Sequence, residues 1–288
     1  MTAALVGYSD RISVRAGEKI AFKISSTSPA PFHAKLVRIV RGDPNPEGPG
    51  AKFDDLSTTF SGEYPSRAQH AWTGSYALID GAPALTSALS VEALIWPTLP
   101  ADKPQAVMSR RDAATGAGFS LVLTADGLVL EIGGAKVGVG KPLRAHTWYR
   151  VWASADPATG VMRVGQQPLK RAFANDDEGE VSLKAPTPLA LDTKAPILIG
   201  AEPAKDRPAH RCFNGKIEAP AIAGLGAWDF ARRMGTMEVE DTGPNRLHGK
   251  LINKRNHVLA IARQLAADAS PAWRGGEQGG GGGSWGRA

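Results

Sequence analysis

Apolar and polar residues alternate along three segments in the middle of the chain, a pattern typical of β-strands with one buried face. These segments are 90–97, 118–132 and 146–164. In the first segment the apolar side chains occupy every second position, so we predict that they share one face, with Ser90 and Glu92 on the other. These apolar residues are Leu89, Val91, Ala93 and Ile95. Pro97 is predicted to end the strand.

Turn residues divide the other two segments into hairpins. Asp126-Gly127 separates two short strands and predicts a type I′ turn, which needs positive φ at both central residues. A longer loop, Asp156–Gly160, separates the next pair. Further short strands are predicted at 75–79, 196–200 and 212–217. Many short strands joined by tight turns indicate an all-β sandwich or barrel.

The first part of the chain has its own alternating segments. They cover 5–14, 20–25 and 32–40. We predict one small antiparallel sheet here that packs on the following unit, because so small a sheet needs a partner surface. The segment 41–50 that follows is rich in proline and glycine. It is predicted to be a rigid connector between two sheets, with a ligand- or partner-binding loop as the alternative.

The composition is that of an ordinary globular protein, with 42% hydrophobic and 22% charged residues. The net charge is +6, but no run of five basic residues occurs, so we expect neither nucleic-acid nor membrane binding. Cys212 is the only cysteine, which rules out an internal disulfide and favours a reducing compartment. The N-terminus lacks a signal-peptide pattern, and no segment has the length of a membrane span, so a cytoplasmic location is predicted.

The strand pattern ends near residue 256. Residues 258–269 are compatible with one short helix, and five consecutive glycines occupy 279–283. Because such a segment cannot contribute to a packed core, we predict disorder from about residue 270 onward.

Several motifs carry a resemblance to a known family. The central strands resemble the laminin G or concanavalin A-like jelly-roll sandwich. The more specific stretches resemble the N-terminal part of the large (beta) subunit of N,N-dimethylformamidase. These stretches are Gly7–Arg11, Val37–Gly50, Phe213–Ile217, Trp228–Phe230 and Asp241–Gly249.

The resemblance implies an amide hydrolase whose mononuclear iron is held by two tyrosines and a glutamate. It also implies that this iron lies in a catalytic domain absent from this chain, so no catalytic, cofactor-binding or metal-binding residue is assigned here. The implied partners are that catalytic domain or a partner subunit, with a small subunit as a further partner. The divergent end of the chain suggests a truncated or frameshifted product.

These patterns divide the chain into three predicted parts. They are an N-terminal β unit (1–62), a lectin-like sandwich with a C-terminal extension (63–257), and a short helix with a disordered tail (258–288).

Few residues in the sequence suggest a metal site. The tyrosines are Tyr8, Tyr64, Tyr76 and Tyr149, and an iron site within this chain would need two of them beside Glu63 or Glu92. We do not expect one, since the neighbours Glu63 and Tyr64 would point to opposite faces of a strand. None of the histidines has zinc-site spacing. They are His33, His70, His146, His210, His248 and His257. His248 is interpreted as a turn residue, with a contact to the catalytic domain as the alternative.

Two further features suggest ligands. Asn175–Glu178 offers oxygen ligands for calcium but lacks the spaced calcium-loop pattern, so a solvated acidic turn is preferred. Trp96, Trp148 and Trp152 could stack on a sugar, but as strand residues they are predicted to pack in the core or between the sheets.

The preferred hypothesis is a non-catalytic docking region of a dimethylformamidase-like amide hydrolase. A stand-alone carbohydrate-binding or protein-interaction module is the alternative. A third reading is a broken gene product without a function of its own.

Overall fold

The computed structural model describes residues 4–43, 45, 47–56, 59–69, 72–85, 88–171 and 176–253. The predicted helix at 258–269 and the predicted disordered tail lie outside the described residues. The chain divides into two compact units, Met1–Trp72 and Thr73–Ala288. The described residues contain β-strands and turns but no helix, so the predicted all-β class is confirmed.

The first unit contains six strands. They are β1 (Leu5–Ser9), β2 (Phe22–Ser26), β3 (Phe32–Ala34), β4 (Leu36–Arg41), β5 (Lys52–Leu56) and β6 (Gly62–Tyr64). They form three separate two-stranded antiparallel sheets, β1–β2, β3–β6 and β4–β5. The prediction of one sheet built from 5–14, 20–25 and 32–40 is therefore wrong. The third segment is two strands, and both pair with strands further along the chain.

The proline- and glycine-rich segment after β4 is one reason why the prediction of a single N-terminal sheet is wrong. It connects β4 to β5 within one hairpin, so the predicted connector between two sheets is also wrong. The Arg41 guanidinium donates to the carbonyl oxygens of Pro49 and Gly50, at 2.6 and 2.7 Å, and so ties the two ends of the loop together. The loop between β4 and β5 spans residues 42–51, and because closure entropy rises only slowly with loop length, a loop of this length still permits the two strands to pair.

The second unit contains fourteen strands. They are β7 (Tyr76–Ile79), β8 (Leu89–Pro97), β9 (Gln105–Arg111), β10 (Gly118–Thr124), β11 (Gly127–Ile132), β12 (Ala135–Gly138), β13 (Tyr149–Ala155), β14 (Val161–Pro168), β15 (Gly179–Lys184), β16 (Ile197–Ile199), β17 (Gly215–Ile222), β18 (Gly226–Asp229), β19 (Glu238–Asp241) and β20 (Gly249–Ile252). The hydrogen-bonded order is β12-β11-β10-β9-β16-β7-β20-β19-β18-β17-β8-β13-β14-β15.

This ribbon of strands folds over into two layers around one core. The first layer runs from β12 to β20 and the second from β17 to β15, and β18 and β19 connect them. Val91 of β8 and Val164 of β14 share a hydrophobic core cluster with Leu121 of β10 and Leu130 of β11. Side chains from both layers therefore fill a common interior, as in a β-sandwich.

The period-2 pattern of β8 correctly predicted which side chains face this core. Its alternate apolar residues are buried in the core cluster, whereas Ser90 is exposed and Glu92 half-exposed on the outer face. On the outer face, residues of β8 lie directly opposite residues of β13, in the pairs Glu92–Trp152 and Ser90–Ser154.

The hairpin turns differ from the predicted type. Neither Ala125 nor Asp126 has positive φ, and the positive φ of 99° falls on Gly127 instead. This is the pattern of a type I turn followed by a glycine bulge, so the predicted type I′ turn is wrong.

A repeated loop motif also escaped the sequence analysis. Asp112–Gly116 and Asp156–Gly160 both read Asp-x-Ala-Thr-Gly. In each loop the aspartate Oδ1 accepts the amides two and three residues later, and the glycine has positive φ.

Candidate functional site

The motif Asp241–Gly249, one of the two long motifs that carry the specific part of the resemblance, is built around a buried aspartate. Asp241 is 1% exposed and lies at the end of β19. Its Oδ1 accepts the amides of Ala227 and Gly243 at 2.9 and 2.7 Å, and its Oδ2 accepts the amide of Leu247 at 2.8 Å. The carboxylate therefore holds β18 and the loop after β19 together.

Trp228, from the neighbouring motif, fixes the same loop from the core side. Its indole is 1% exposed, and Nε1 donates to the carbonyl oxygen of Leu247 at 2.8 Å. The Asn245 amide donates to the carbonyl oxygens of Gly224 and Leu225. These contacts satisfy the carbonyl oxygens of the buried Leu225 and the half-buried Leu247.

His248 is an exposed residue of this motif. Its Nδ1 accepts the backbone amide of Asp241 at 3.1 Å, so the ring proton lies on Nε2. This bond orients the imidazole within the loop. The alternative of a contact with a catalytic domain stays a prediction.

Two open cavities adjoin this loop. A cavity of about 430 Å³ is lined by Arg232, Glu240, Asp241, Thr242, Gly243, Pro244 and Arg246. A second cavity of about 200 Å³ is lined by Arg233, Glu238, Val239, Glu240, His248, Gly249 and Lys250. Glu240 borders both, so they are neighbours along the surface of the motif. Their linings are mostly charged and polar.

The three candidate tryptophans lie on the outer face of the second layer, so their predicted packing in the core is wrong. Trp96, Trp148 and Trp152 are half-buried there, and Trp148 packs with Leu94 and Leu169. They project outward because the opposite positions of β8 and β13 face the core.

The ring faces of two of these tryptophans are occupied by other side chains. Trp96 stacks on His146 with a centroid distance of 4.8 Å, and Lys216 Nζ lies 4.5 Å from the Trp96 ring centroid. The Arg150 guanidinium lies 5.3 Å from the Trp152 ring centroid. Sugar recognition by stacking needs an open ring face, so these contacts count against a carbohydrate platform at Trp96 and Trp152.

Trp152 has a further constraint from the next strand. It lies opposite Gly165, and a Cβ at Gly165 would come within 2.2 Å of the indole. The indole therefore lies over the glycine. Its Nε1 donates to Glu180 at 2.7 Å, which fixes the ring orientation.

The acidic segment 175–178 matches the predicted solvated turn at Asp176, which is exposed, but not at Asp177. Asn175 lies outside the described residues, and Asp177 is only 4% exposed. Asp177 Oδ2 accepts the Tyr149 hydroxyl at 2.5 Å and Arg144 Nε at 2.6 Å. Burial alone would raise the pKa of Asp177, but these hydrogen bonds outweigh it and hold that pKa below its ordinary value. Burial and the bond to Asp177 raise the pKa of Tyr149 to about 12.

A second buried ion network lies on the other layer. Arg211 Nη1 lies 3.2 Å from Glu131 and 3.0 Å from Glu202, and Arg111 contacts the same two carboxylates. Burial would raise the pKa of Glu131, but Lys136 and Arg211 outweigh it and lower that pKa. The network ties the loop before β17 to β9 and β11, which is a structural role.

Among the described residues, neither Tyr149 with Glu92 nor Tyr64 with Glu63 fits an iron site of two tyrosines and a glutamate. Tyr149 points into the core, whereas Glu92 lies on the opposite face of the same sheet and pairs with Arg150 at 3.1 Å. The Tyr64 hydroxyl donates to the Phe60 carbonyl oxygen, and Tyr64 and Glu63 are neighbours on β6. Adjacent strand residues point to opposite faces and cannot share one ion.

Across the described ranges, no group of three or more His, Cys, Asp or Glu is arranged to hold a metal ion. His70 and His257 lie outside those ranges. The same part of the chain has no helix of the length and apolarity that a membrane crossing requires.

Comparison with known proteins confirms the resemblance to the dimethylformamidase beta subunit. The chain is 30% identical over 301 residues to the N,N-dimethylformamidase beta subunit of Paracoccus aminophilus, a match that covers 88% of this chain. The chain spans about 40% of the length of that relative. No protein-family model matches the chain.

Solved structures show β-rich neighbours with low sequence identity. A putative carbohydrate binding protein from Bacteroides ovatus has a TM-score of 0.47 and 16% identity, covering 87% of this chain and 67% of that chain. The LG1-3 region of the laminin alpha2 chain has a TM-score of 0.40 and 14% identity, covering 52% of this chain and 31% of that chain.

Proposed function

We propose that this chain is a non-catalytic docking region of a dimethylformamidase-like amide hydrolase. In this proposal the hydrolysis of small amides is performed by polypeptide outside the residues described here. The sandwich, assigned to residues 63–257, would bind a catalytic domain or a partner subunit. A cytoplasmic location, which the single cysteine favours, is part of the same proposal.

The proposal rests on the hydrogen bonds that the Asp241 carboxylate accepts from backbone amides. A carboxylate offers about four lone-pair sites. In Asp241 the backbone amides of β18 and of the loop occupy three of them, two at Oδ1 and one at Oδ2, so this acidic residue of a specific motif supports the loop. The similarity to a subunit of an amide hydrolase supplies the class of enzyme.

The proposal can be tested with a chimeric enzyme. The matched region of the Paracoccus aminophilus beta subunit is replaced by this chain, and release of dimethylamine from N,N-dimethylformamide is measured. We expect the chimera to hydrolyse the amide and the purified chain alone to be inactive. Turnover by the chain alone at the rate of the parent enzyme contradicts the proposal, as does a folded chimera without activity.

A further inference from the structure

Two basic side chains of the Asp241–Gly249 region have no acidic partner among the described residues. Arg246 and Lys250 are exposed, and neither makes an ion pair with a described residue, whereas Arg232 and Arg233 both pair with Glu240. Arg246 also has a φ of 52°, a left-handed conformation that costs energy for a residue with a Cβ. The fold therefore holds Arg246 in this conformation although no described acidic residue pairs with its guanidinium.

Buried residues on either side fix where these two cations lie. Leu247 donates its amide to Asp241, and its carbonyl oxygen accepts the Trp228 indole N–H. At Gly249 a Cβ would come within 2.8 Å of the Ile79 side chain, so the backbone packs closely there. Arg246, His248 and Lys250, which we call the basic rim, therefore project from a rigid segment.

The basic rim borders both cavities described above. Arg246 lines the larger cavity and Lys250 the smaller one, and His248 stands between them. The two linings together contain four Lys or Arg residues against the three carboxylates of Glu238, Glu240 and Asp241, of which Asp241 is hydrogen-bonded to backbone amides. Because both glutamates already pair with arginines, the surplus positive charge lies on the rim.

We propose that the basic rim docks carboxylate side chains of an acidic segment in a partner polypeptide. Two separated cations beside open cavities match two carboxylates on an extended chain. Glu238 and Glu240 would repel a uniform polyanion such as a nucleic acid, and their presence favours a polypeptide that carries both polar and acidic residues. This inference rests on the proposed docking function and names its surface.

Binding of a model acidic peptide tests the inference with the intact chain. The probe is a fluorescein-labelled peptide of about ten residues with alternating Glu and Ser, measured by anisotropy at about 50 mM salt, where screening is weak. A peptide with Gln in place of Glu is the control ligand. We expect the Glu peptide to bind and the Gln peptide not to bind.

Charge reversal then locates the site. The double variant Arg246→Glu, Lys250→Glu should weaken binding of the Glu peptide by about tenfold or more. The matched control is Arg163→Glu, which reverses an exposed cation on β14 that also lacks an ion pair with a described residue, and it should change binding less than about twofold. Circular dichroism checks that all variants remain folded.

Arg163→Glu changes the net charge by half as much as the double variant does. If it also causes half or more of the loss in binding free energy, the inference is overturned, because binding would then report only net charge. Displacement of the peptide by inorganic phosphate at lower concentration than by free glutamate would also overturn it, in favour of a phosphate ligand. Activity of the chimera, measured beside peptide binding, distinguishes failure of this inference from failure of the proposed function. An inactive but folded chimera with selective peptide binding refutes the function alone, whereas an active chimera without selective binding refutes the basic rim alone.

Discussion

Replacement of Asp241 by alanine removes the acceptor of three backbone amides at once. The affected amides belong to Ala227, Gly243 and Leu247. A buried donor that loses its partner costs about 1–3 kcal/mol. Because Asp241 borders an open cavity that water can enter, we take values near the low end and expect a loss of about 3–5 kcal/mol. This is a large fraction of the 5–15 kcal/mol (roughly) that stabilises a typical domain.

The asparagine variant refines the same prediction. In Asp241→Asn one oxygen remains to accept two amides, but the new NH₂ group faces the amide of Leu247. We therefore expect a loss of about 1–3 kcal/mol, smaller than that of the alanine variant. Urea unfolding followed by tryptophan fluorescence measures both values. With an m-value of about 3 kcal/mol/M, the alanine variant should unfold at a urea concentration lower by about 1–1.7 M.

The control is Asp80→Ala, since Asp80 is exposed directly after β7. A surface substitution of this kind should change stability by less than about 0.5 kcal/mol. If Asp241→Ala proves as mild as this control, the three amide bonds do not stabilise the loop, and the structural reading of the motif fails.

Three further outcomes follow from the contacts described. The pKa of Asp177 is lower in the folded than in the unfolded protein. Its contribution to folding stability is therefore present above about pH 4 and is lost as the pH falls through the pKa of the folded protein. Asp177→Asn should therefore show a weaker dependence of the urea midpoint on pH between about 2 and 5, and an unchanged dependence would contradict this. The pKa of Tyr149 is raised in the folded protein, so the pH dependence runs in the opposite direction. The contribution of Tyr149 to folding stability is present below about pH 10 and is lost as the pH rises towards about 12. Phenolate absorbance should detect this late titration. Tyr149→Phe should lower its amplitude and leave the part that belongs to Tyr76, whose pKa is also raised by burial. Finally, Gly165→Ala places a Cβ against the Trp152 indole and should cost about 1–3 kcal/mol with a change in fluorescence, whereas Gly134→Ala, at an open position, should not.

The strands of the sandwich were predictable because their burial is set by local alternation. In β8 and β13 one face packs against the opposite layer, so every second side chain is apolar. The same rule failed in the first unit. There Ile39 and Phe53 pair across β4 and β5 yet remain 64% and 55% exposed, because a two-stranded sheet has no second layer to bury them.

The candidate site was less predictable, since its contacts join residues far apart in sequence. The sequence does not reveal that Asp241 accepts amides from both β18 and its own loop, or that Gly165 leaves room for Trp152. Asp177 was misjudged because acidic residues in loops are usually solvated, whereas its burial depends on Tyr149 from β13. The repeated Asp-x-Ala-Thr-Gly loops, by contrast, were visible in the sequence. Asp156–Gly160 was predicted as a hairpin loop, and the same motif at Asp112–Gly116 could have been recognised from it.

Turnover by the chimera carrying Asp241→Asn tests the central claim, that the motif supports docking and takes no part in chemistry. The assay is run at a temperature where circular dichroism shows the variant to be folded. We expect dimethylamine release per folded molecule to remain close to that of the unsubstituted chimera. A folded variant that loses about hundredfold or more in turnover, as removal of a general base would cause, contradicts the claim.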